Sequence, residues 1–237
     1  MAGVQEWFDS WASKYDEYLP HFPSYKKIIE IVVENANIKK GDKVLDVGIG
    51  TGNVSLSIFR NTPCKITGVD ISKEMTAIAD KKAKEMGAEL RIVEASAEAM
   101  KFSQTFDCAG AVFSVHHLKG KAKSGAFKRV HKSLKKGGRF ILADVAVDVE
   151  PDVKNEKWIR HVMDRWGNEA MGALRYIGPD GVDIAFGGMK KVYHMDGEYP
   201  ETSMKWKQML EGSGFRIVRN EIVDEKMGWQ VFICDAM

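Results

Sequence analysis

The segment Val44-Leu45-Asp46-Val47-Gly48-Ile49-Gly50-Thr51-Gly52-Asn53 constrains the fold of this chain more than any other. An apolar run of strand character ends in three glycines on alternate positions, and a helical pattern starts at once with Asn53. Backbone this bare suits a strand that must turn sharply into a helix while leaving its main chain open to a ligand, because a Cβ would stand in the way. Short apolar runs and longer helical stretches continue to alternate downstream, which is the pattern of βαβ units on a parallel sheet. Strands are expected at 43–48, 65–69, 90–93, 106–113 and 138–145, with helices near 53–60, 72–86 and 121–136 and a shorter turn near 96–100. A helix near 202–212 and two runs, 215–223 and 229–235, close the chain, the last two pairing as a hairpin at one sheet edge.

Two regions fall outside this rhythm. Trp7, Phe8, Trp11, Tyr15 and Leu19 recur at helical spacing and predict an amphipathic helix ending before Pro20. A second helix follows Pro23-Ser24, with Ile28, Ile31 and Val32 buried and Gly41 closing it after Lys39-Lys40. Residues 151–200 combine a predicted helix at 153–166 with the turn-rich Gly178-Pro179-Asp180-Gly181 and Gly187-Gly188, and read as an insertion. The expected organisation is one domain over 1–237, with an N-terminal helical cap at 1–40 and a substrate-side cap at 151–200.

Composition narrows the partners. Lys+Arg 35 against Asp+Glu 33 leaves a formal net charge of +2, far from the concentrated basic face that a phosphate backbone demands, so no nucleic acid is expected. Cys64, Cys108 and Cys234 are odd in number and far apart, which indicates neither a disulfide framework nor a zinc site and suits a reducing compartment. No run reads as a secretion signal or a membrane span, so a soluble cytoplasmic protein is expected, with a homodimer as an admissible assembly.

Which ligand the glycine turn serves depends on its spacing. A dinucleotide turn reads G-x-G-x-x-G, and counted from Gly48 its third glycine falls on Asn53; the spacing here is G-x-G-x-G. No Gly-Lys-Ser or Gly-Lys-Thr follows, so the phosphate loop of the nucleotide triphosphatases is also absent. Asp70, closing the run Ile66-Thr67-Gly68-Val69, is placed to accept from ribose hydroxyls. Asp46, two residues ahead of the turn, would repel a pyrophosphate and suit an amino group. An adenosine carrying an amino acid meets both demands.

These residues resemble the cofactor site of class I S-adenosylmethionine (SAM)-dependent methyltransferases. The resemblance continues through Phe106-Asp107, Ser114-Val115-His116-His117-Leu118 and the run from Arg129 to Arg139, and Trp11-Ala12-Ser13-Lys14-Tyr15-Asp16 is similar to the N-terminal cap of the ubiquinone/menaquinone-type methyltransferases. It implies a Rossmann-like fold: a doubly wound, mostly parallel seven-stranded α/β sheet with an antiparallel C-terminal hairpin and a helical cap. By position it implies that Gly48, Gly50 and Gly52 line the methionyl part of SAM, with Asp46 near its amino group, Asp70 on the ribose and Ile71 against adenine. Ser96, beside Ala97, stands where the family usually carries an Asp that meets the adenine amino group.

Methyl transfer from a sulfonium is an in-line displacement that chiefly needs the acceptor held against the methyl carbon. Ser114, His116 and Asp144 lie on expected strand ends facing that centre, and His116 is the base candidate because an imidazole titrates near neutrality. Tyr15 and Trp11 of the first helix could close over the cofactor or acceptor. No metal is expected: His116 and His117 are adjacent, which should point them apart, and no third ligand stands out. Acceptor choice should lie in the insertion, where Trp158, Ile159, Val162, Met163, Trp166, Met171, Tyr176, Phe186, Met189 and Tyr193 suggest a lined pocket for an apolar or planar small molecule. Arg160, His161, Arg165, Arg175 and His194 are candidate polar contacts there. The leading expectation is therefore a methyltransferase for a small-molecule acceptor. An NAD(P)-dependent oxidoreductase and a non-catalytic SAM-binding module are its rivals.

Overall fold

The sheet is built outward from β1 (Lys43–Val47), which pairs in parallel with β2 (Lys65–Asp70) on one side and with β4 (Phe106–Val112) on the other. The computed structural model describes residues 2–176, 178–194 and 196–237, with side chains for all but residues 2–4, 11, 180, 184 and 193, so the side chains of Trp11 and Tyr193 lie outside the described residues. β3 (Glu89–Glu94) extends the β2 edge, β5 (Leu134–Val147) pairs with β4, and β7 (Phe215–Asp224) and β8 (Trp229–Ala236) complete the order β3-β2-β1-β4-β5-β8-β7. The pairs β5–β8 and β7–β8 are antiparallel, as the hairpin reading requires. A two-residue strand, β6 (Glu201–Thr202), adds to β5 and makes eight strands where seven were expected.

Helices cover both faces: α1 (Ala2–Tyr18), α2 (Pro23–Asn35), α3 (Asn53–Asn61), α4 (Lys73–Met86), α5 (Lys121–Ser133), α6 (Glu156–Tyr176), α7 (Pro179–His194) and α8 (Ser203–Glu211). The central strands are apolar on both sides for that reason, with Val44, Leu45 and Val47 of β1 all buried. One core joins Ile28 and Ile31 of α2 with Trp158, Val162 and Trp166 of α6; the other joins Phe127, Phe140, Trp206, Phe215 and Phe232. Each fully buried side chain of this size contributes about 2–3 kcal/mol of transfer free energy. Trp206 adds a satisfied polar end, its Nε1 donating to the carbonyl of Val145 at 2.9 Å. The chain leaves β1 toward β2 and returns on its other side as β4, so the switch in strand order opens a crevice at the carboxyl ends of these strands.

Three boundaries depart from expectation. β5 starts at Leu134 because Leu134 pairs with Phe106 ahead of an irregularity in the ladder, so Gly137 and Gly138 lie inside the strand and α5 stops at Ser133. α2 stops at Asn35, and left-handed Asn37, with φ 50°, turns the chain ahead of Gly41, which was expected to close the helix. The insertion carries two long helices, Glu156–Tyr176 and Pro179–His194, and Gly187-Gly188 lies within the second. A Cβ on Gly188 would come within 2.3 Å of the Trp166 ring, so this glycine permits close packing of α7 on α6 where the sequence suggests a turn.

Candidate active site

The glycine turn is fixed by the strand beside it. Gly48 and Ile49 donate to the carbonyl of Val69 at 2.7 and 3.1 Å, and Gly50 donates to Asp70 Oδ2 at 2.8 Å. Gly48, Gly50 and Gly52 take φ of 76°, 52° and 81°, in the left-handed region that glycine adopts without a Cβ clash. A Cβ at Gly48 would sit 2.3 Å from the Cβ of Ser114, whereas one at Gly50 would meet nothing within 4 Å. Gly48 thus seats the turn against β4's end and Gly50 leaves open space. The other Asp70 oxygen accepts from Ser72 N at 3.0 Å; burial raises the carboxyl's pKa and these backbone donors pull it back.

Asp46, one strand turn earlier, is buried, and that burial pushes its carboxyl up to about 6, partly offset by Ser55 at the start of α3. Its Oδ2 meets no hydrogen-bond donor among the described residues. A buried carboxylate oxygen left without a donor is costly unless something else supplies one.

A cleft with about 780 Å³ of empty space, its open mouth included, lies beside this turn. Val47, Gly48, Gly50, Val69, Asp70 and Ile71 form one wall, Ala95, Ser96 and Ala97 from the end of β3 form the second, and Phe113, Ser114, His117 and Leu118 close the end. Phe8 and Tyr15 of α1 lie across it. That helix is tied down by its acids: Asp16 accepts from Thr51 Oγ1 at 2.6 Å and Asn53 Nδ2 at 2.9 Å and pairs with Lys82 at 2.9 Å, while Asp9 accepts from Ser72 Oγ at 2.5 Å. Burial, then Tyr25 and the carboxylates of Asp16, Asp70 and Asp46, hold the Tyr15 hydroxyl in its protonated form.

Behind the cleft end lies a buried charged cluster. A single turn of 3₁₀ helix, Val115–His117, brings the two imidazoles to a centroid separation of 4.0 Å. His116 Nδ1 lies 2.5 Å from Asp144 Oδ1 and its Nε2 lies 3.1 Å from Glu198 Oε2. Both neighbours are carboxylates, so both ring nitrogens donate. Burial alone would lower the pKa of His116, but Asp144 and Glu198 outweigh it and push it up to about 9. Burial and then the His116 charge hold His117 down to about 4; its Nδ1 donates to the carbonyl of Gly197 at 2.7 Å. Glu198 is kept ionised, at about 2, because the two histidines overcome its burial. The segment carrying it is fixed from β4's side, with Tyr199 N donating to the His116 carbonyl at 2.9 Å and the buried Lys123 donating to Tyr199 O at 2.5 Å and pairing with Glu201 at 2.7 Å.

Known proteins are similar to this chain in sequence and in fold. A family described as Methyltransferase domain matches residues 44–138. The Bacillus cytotoxicus protein named Uncharacterized methyltransferase Bcer98_3087 is 32% identical over 152 residues, or 60% of this chain and 68% of that one. The chain belongs to the class I SAM-dependent methyltransferases. This methyltransferase is also 32% identical over 148 residues to the ubiquinone/menaquinone biosynthesis C-methyltransferase UbiE of Geotalea uraniireducens, covering 60% of the chain and 62% of UbiE. Its fold matches that of the cyclopropane synthase MmaA2 of Mycobacterium tuberculosis with a TM-score of 0.66, over 97% of this chain and 98% of the other at 14% identity.

SAM is the cofactor of the methyltransferase, and the residues present fit it. The unpartnered Asp46 Oδ2 suits an ammonium group, and the open space at Gly50 suits a ligand lying on the backbone.

Of the residues expected to act, the methyltransferase brings Tyr15, Gly48, Gly50, Asp70, Ile71, Ser96, Ala97 and Ser114 together on one cleft. Asp46 and Gly52 stand behind it: Gly52 caps α3, and a Cβ there would meet Leu56 at 3.1 Å and Ala79 at 3.2 Å. His116, expected as a base, is not on the cleft wall; His117 is. A group already holding both protons between two carboxylates cannot take another, which corrects the base assignment. The expectation that adjacent histidines point apart also fails, because the 3₁₀ turn brings their rings together at a 44° tilt and Glu198 lies beside both. The aromatic and Met residues of 151–200 do not line the cleft among the described residues: Trp158, Val162 and Trp166 are core, while Met163, Met171, Tyr176 and Phe186 are exposed. Arg165 is buried over the Trp166 ring, His161 stacks on Trp158, and Arg160 pairs with Glu156 on the surface. From sequence, Phe8, Asp16, His117 and Glu198 had no role in the site, although Phe8 lay on the apolar face of the first helix and Asp16 and His117 lay in recognised motifs; Glu198 lay in none. All three cysteines are buried and free, and burial raises each thiol's pKa, as inert packing predicts. No helix among the described residues is long and apolar enough to cross a membrane.

Proposed function

We propose that the methyltransferase transfers a methyl group from SAM to a small-molecule acceptor held at the Phe8, Tyr15 and His117 end of the cleft. The observation carrying this reading is that one continuous cleft joins the glycine turn and Asp70 to those three side chains. SAM, when bound, supplies a methyl group on a sulfonium already activated for displacement. The chain's own work is then binding and alignment, which for well-oriented reactants contributes about 7–11 kcal/mol to lowering a barrier. Asp46 pairs with the amino group of the cofactor, Gly48 and Gly50 admit its methionyl part while Gly52 turns the chain into α3 behind them, Asp70 accepts from its ribose, and Ile71, Ser96 and Ala97 surround its adenine. Ser114, whose hydroxyl donates to the carbonyl of Val47 at 2.7 Å, locks the turn to the end of β4. Tyr15 offers the acceptor a hydrogen-bond donor, and His117 a neutral imidazole. Residues 1–40 act as a cap through α1, and residues 151–200 reach the site through Gly197 and Glu198 more than through the helices α6 and α7. Buried reduced thiols fit a cytoplasmic setting.

Calorimetric titration with S-adenosylhomocysteine tests the cofactor half: Asp70→Ala is expected to weaken binding by about a hundredfold, two charge-assisted bonds' worth at roughly 1.4 kcal/mol per tenfold. Unchanged affinity would remove Asp70 from the ribose. Incubation of acceptor pools with methyl-labelled SAM tests the other half. Tight binding with no label transferred to any acceptor would favour the non-catalytic SAM-binding module.

A further inference from the structure

We propose that His116, His117 and Glu198 form a binding site for a divalent transition-metal ion of the zinc class, at the inner end of the cleft. The three residues bring one ligand atom each to within 4.8 Å of one another. Bond lengths of about 2.0–2.2 Å to nitrogen and oxygen set tetrahedral ligand–ligand edges near 3.3 Å. Glu198 meets the two histidines through different oxygens, Oε2 at 3.1 Å from His116 Nε2 and Oε1 at 3.5 Å from His117 Nδ1, so its carboxylate would hold the ion through both oxygens or turn to present one. Two imidazoles and a carboxylate suit zinc, iron or cobalt better than calcium or magnesium, which favour oxygen ligands.

The surroundings match a ligating site in two further respects. Metal-bound histidines almost always give their second ring N–H to a carboxylate or carbonyl. His116 gives its Nδ1 proton to Asp144, which is itself held by the backbone N–H groups of Val115 and His116 at 3.0 and 3.2 Å. Glu198 is also held in place independently of the histidine side chains, through the Tyr199 and Lys123 contacts to the end of β4 and α5. Binding displaces the His116 Nε2 proton to solvent, while the single proton of the neutral His117 ring passes from Nδ1 to Nε2, so one proton leaves as the ion enters. The Gly197 carbonyl, 2.7 Å from His117 Nδ1, then loses its donor and becomes a fourth oxygen within reach. His117 is the member that also lines the cleft, so the ion's open position faces the acceptor end and would take an acceptor oxygen. Only that last point rests on the proposed function; the cation site does not.

Chelator-treated protein titrated with Co²⁺ alone is expected to bind one ion per chain, with the visible absorption of a four- or five-coordinate site, and Zn²⁺ is expected to displace it. X-ray absorption on the zinc-loaded unaltered chain should show two imidazoles with oxygen and no sulfur. Glu198→Gln and His117→Gln should each lower Co²⁺ affinity by at least about tenfold. Absence of stoichiometric binding, a coordination sphere with sulfur or fewer than two imidazoles, or wild-type affinity in either folded variant overturns the site. If both variants fail to fold, the absorption spectrum of the unaltered chain decides. S-adenosylhomocysteine binding measured on the same samples keeps the two readings apart: binding without cobalt ends the metal site alone, and cobalt uptake without nucleoside binding ends the cofactor reading alone.

Discussion

The turn between β1 and α3 and the paired helices α6 and α7 are both rich in glycine, yet glycine does opposite work in them. In the turn it meets backbone demand: positive φ at three alternate positions, one packed against Ser114 and one facing open space. In the helices it regulates how closely two cylinders approach, and some positions have no evident demand at all. Gly188 lies under the Trp166 ring and Gly172 under Phe22, but Gly167 has nothing within 4 Å of its missing Cβ and is exposed. The cofactor half is thus specified residue by residue, and residues 151–200 by shape and burial.

This contrast can be broken. Gly48→Ala puts a Cβ 2.3 Å from Ser114 at a φ of 76°, and should cost on the order of 3–4 kcal/mol of unfolding free energy. Chemical denaturation reads it, and a loss below about 1 kcal/mol would mean the turn relaxes freely.

The next effect lies at the seam between the halves. Glu169 of α6 accepts from the Tyr18 hydroxyl of α1 at 2.7 Å, and burial pushes its carboxyl up to about 7. The folded chain therefore keeps a proton that the unfolded chain releases above its ordinary carboxylate value. This contribution is complete in acid and declines as pH rises toward 7, by at most about 3 kcal/mol. Glu169→Gln, which retains an acceptor for Tyr18, should flatten that slope in unfolding experiments between pH 4.5 and 7. An unchanged slope would assign it to another group.

Asp46 gives a smaller, ligand-linked version. Its carboxyl sits near 6 and must be ionised to hold an ammonium, so S-adenosylhomocysteine affinity should climb by up to about tenfold per pH unit from pH 5 to 6 and level off above. Affinity that is flat across that range would place the amino group elsewhere. Smallest of all, Gly167→Ala should stabilise the chain by about 0.5–1 kcal/mol, because an exposed helix interior gains from alanine. Destabilisation there would show that α6 uses this glycine after all.

What was legible in the sequence follows the same division. The alternation of strands and helices, the closing hairpin and the glycine turn with Asp70 could be read because local spacing carries them, and Ser96 through the family resemblance. The early start of β5 could not, since Lys135-Lys136-Gly137-Gly138 has the composition of a helix end and only pairing with Phe106 and Cys108 makes it a strand. Gly187-Gly188 read as a turn because close packing on Trp166 is a tertiary fact. Glu198 was invisible beside His116 for a stronger reason: it arrives from the far end of the insertion, carried by bonds that no local pattern encodes. Its presence turns the histidine expected as a base into a cation.

Phe8 and Tyr15 give the cleft a wall belonging to a helix that is held to the rest of the molecule by Asp9, Asp16 and Tyr18 and by apolar packing. Thermodynamic reciprocity then applies without further assumption. Whatever free energy the docked helix contributes to retaining an occupant, the occupant returns to the docking of the helix. Amide exchange along residues 2–18 is consequently a gauge of occupancy, and it would slow by the same factor through which helix docking tightens binding.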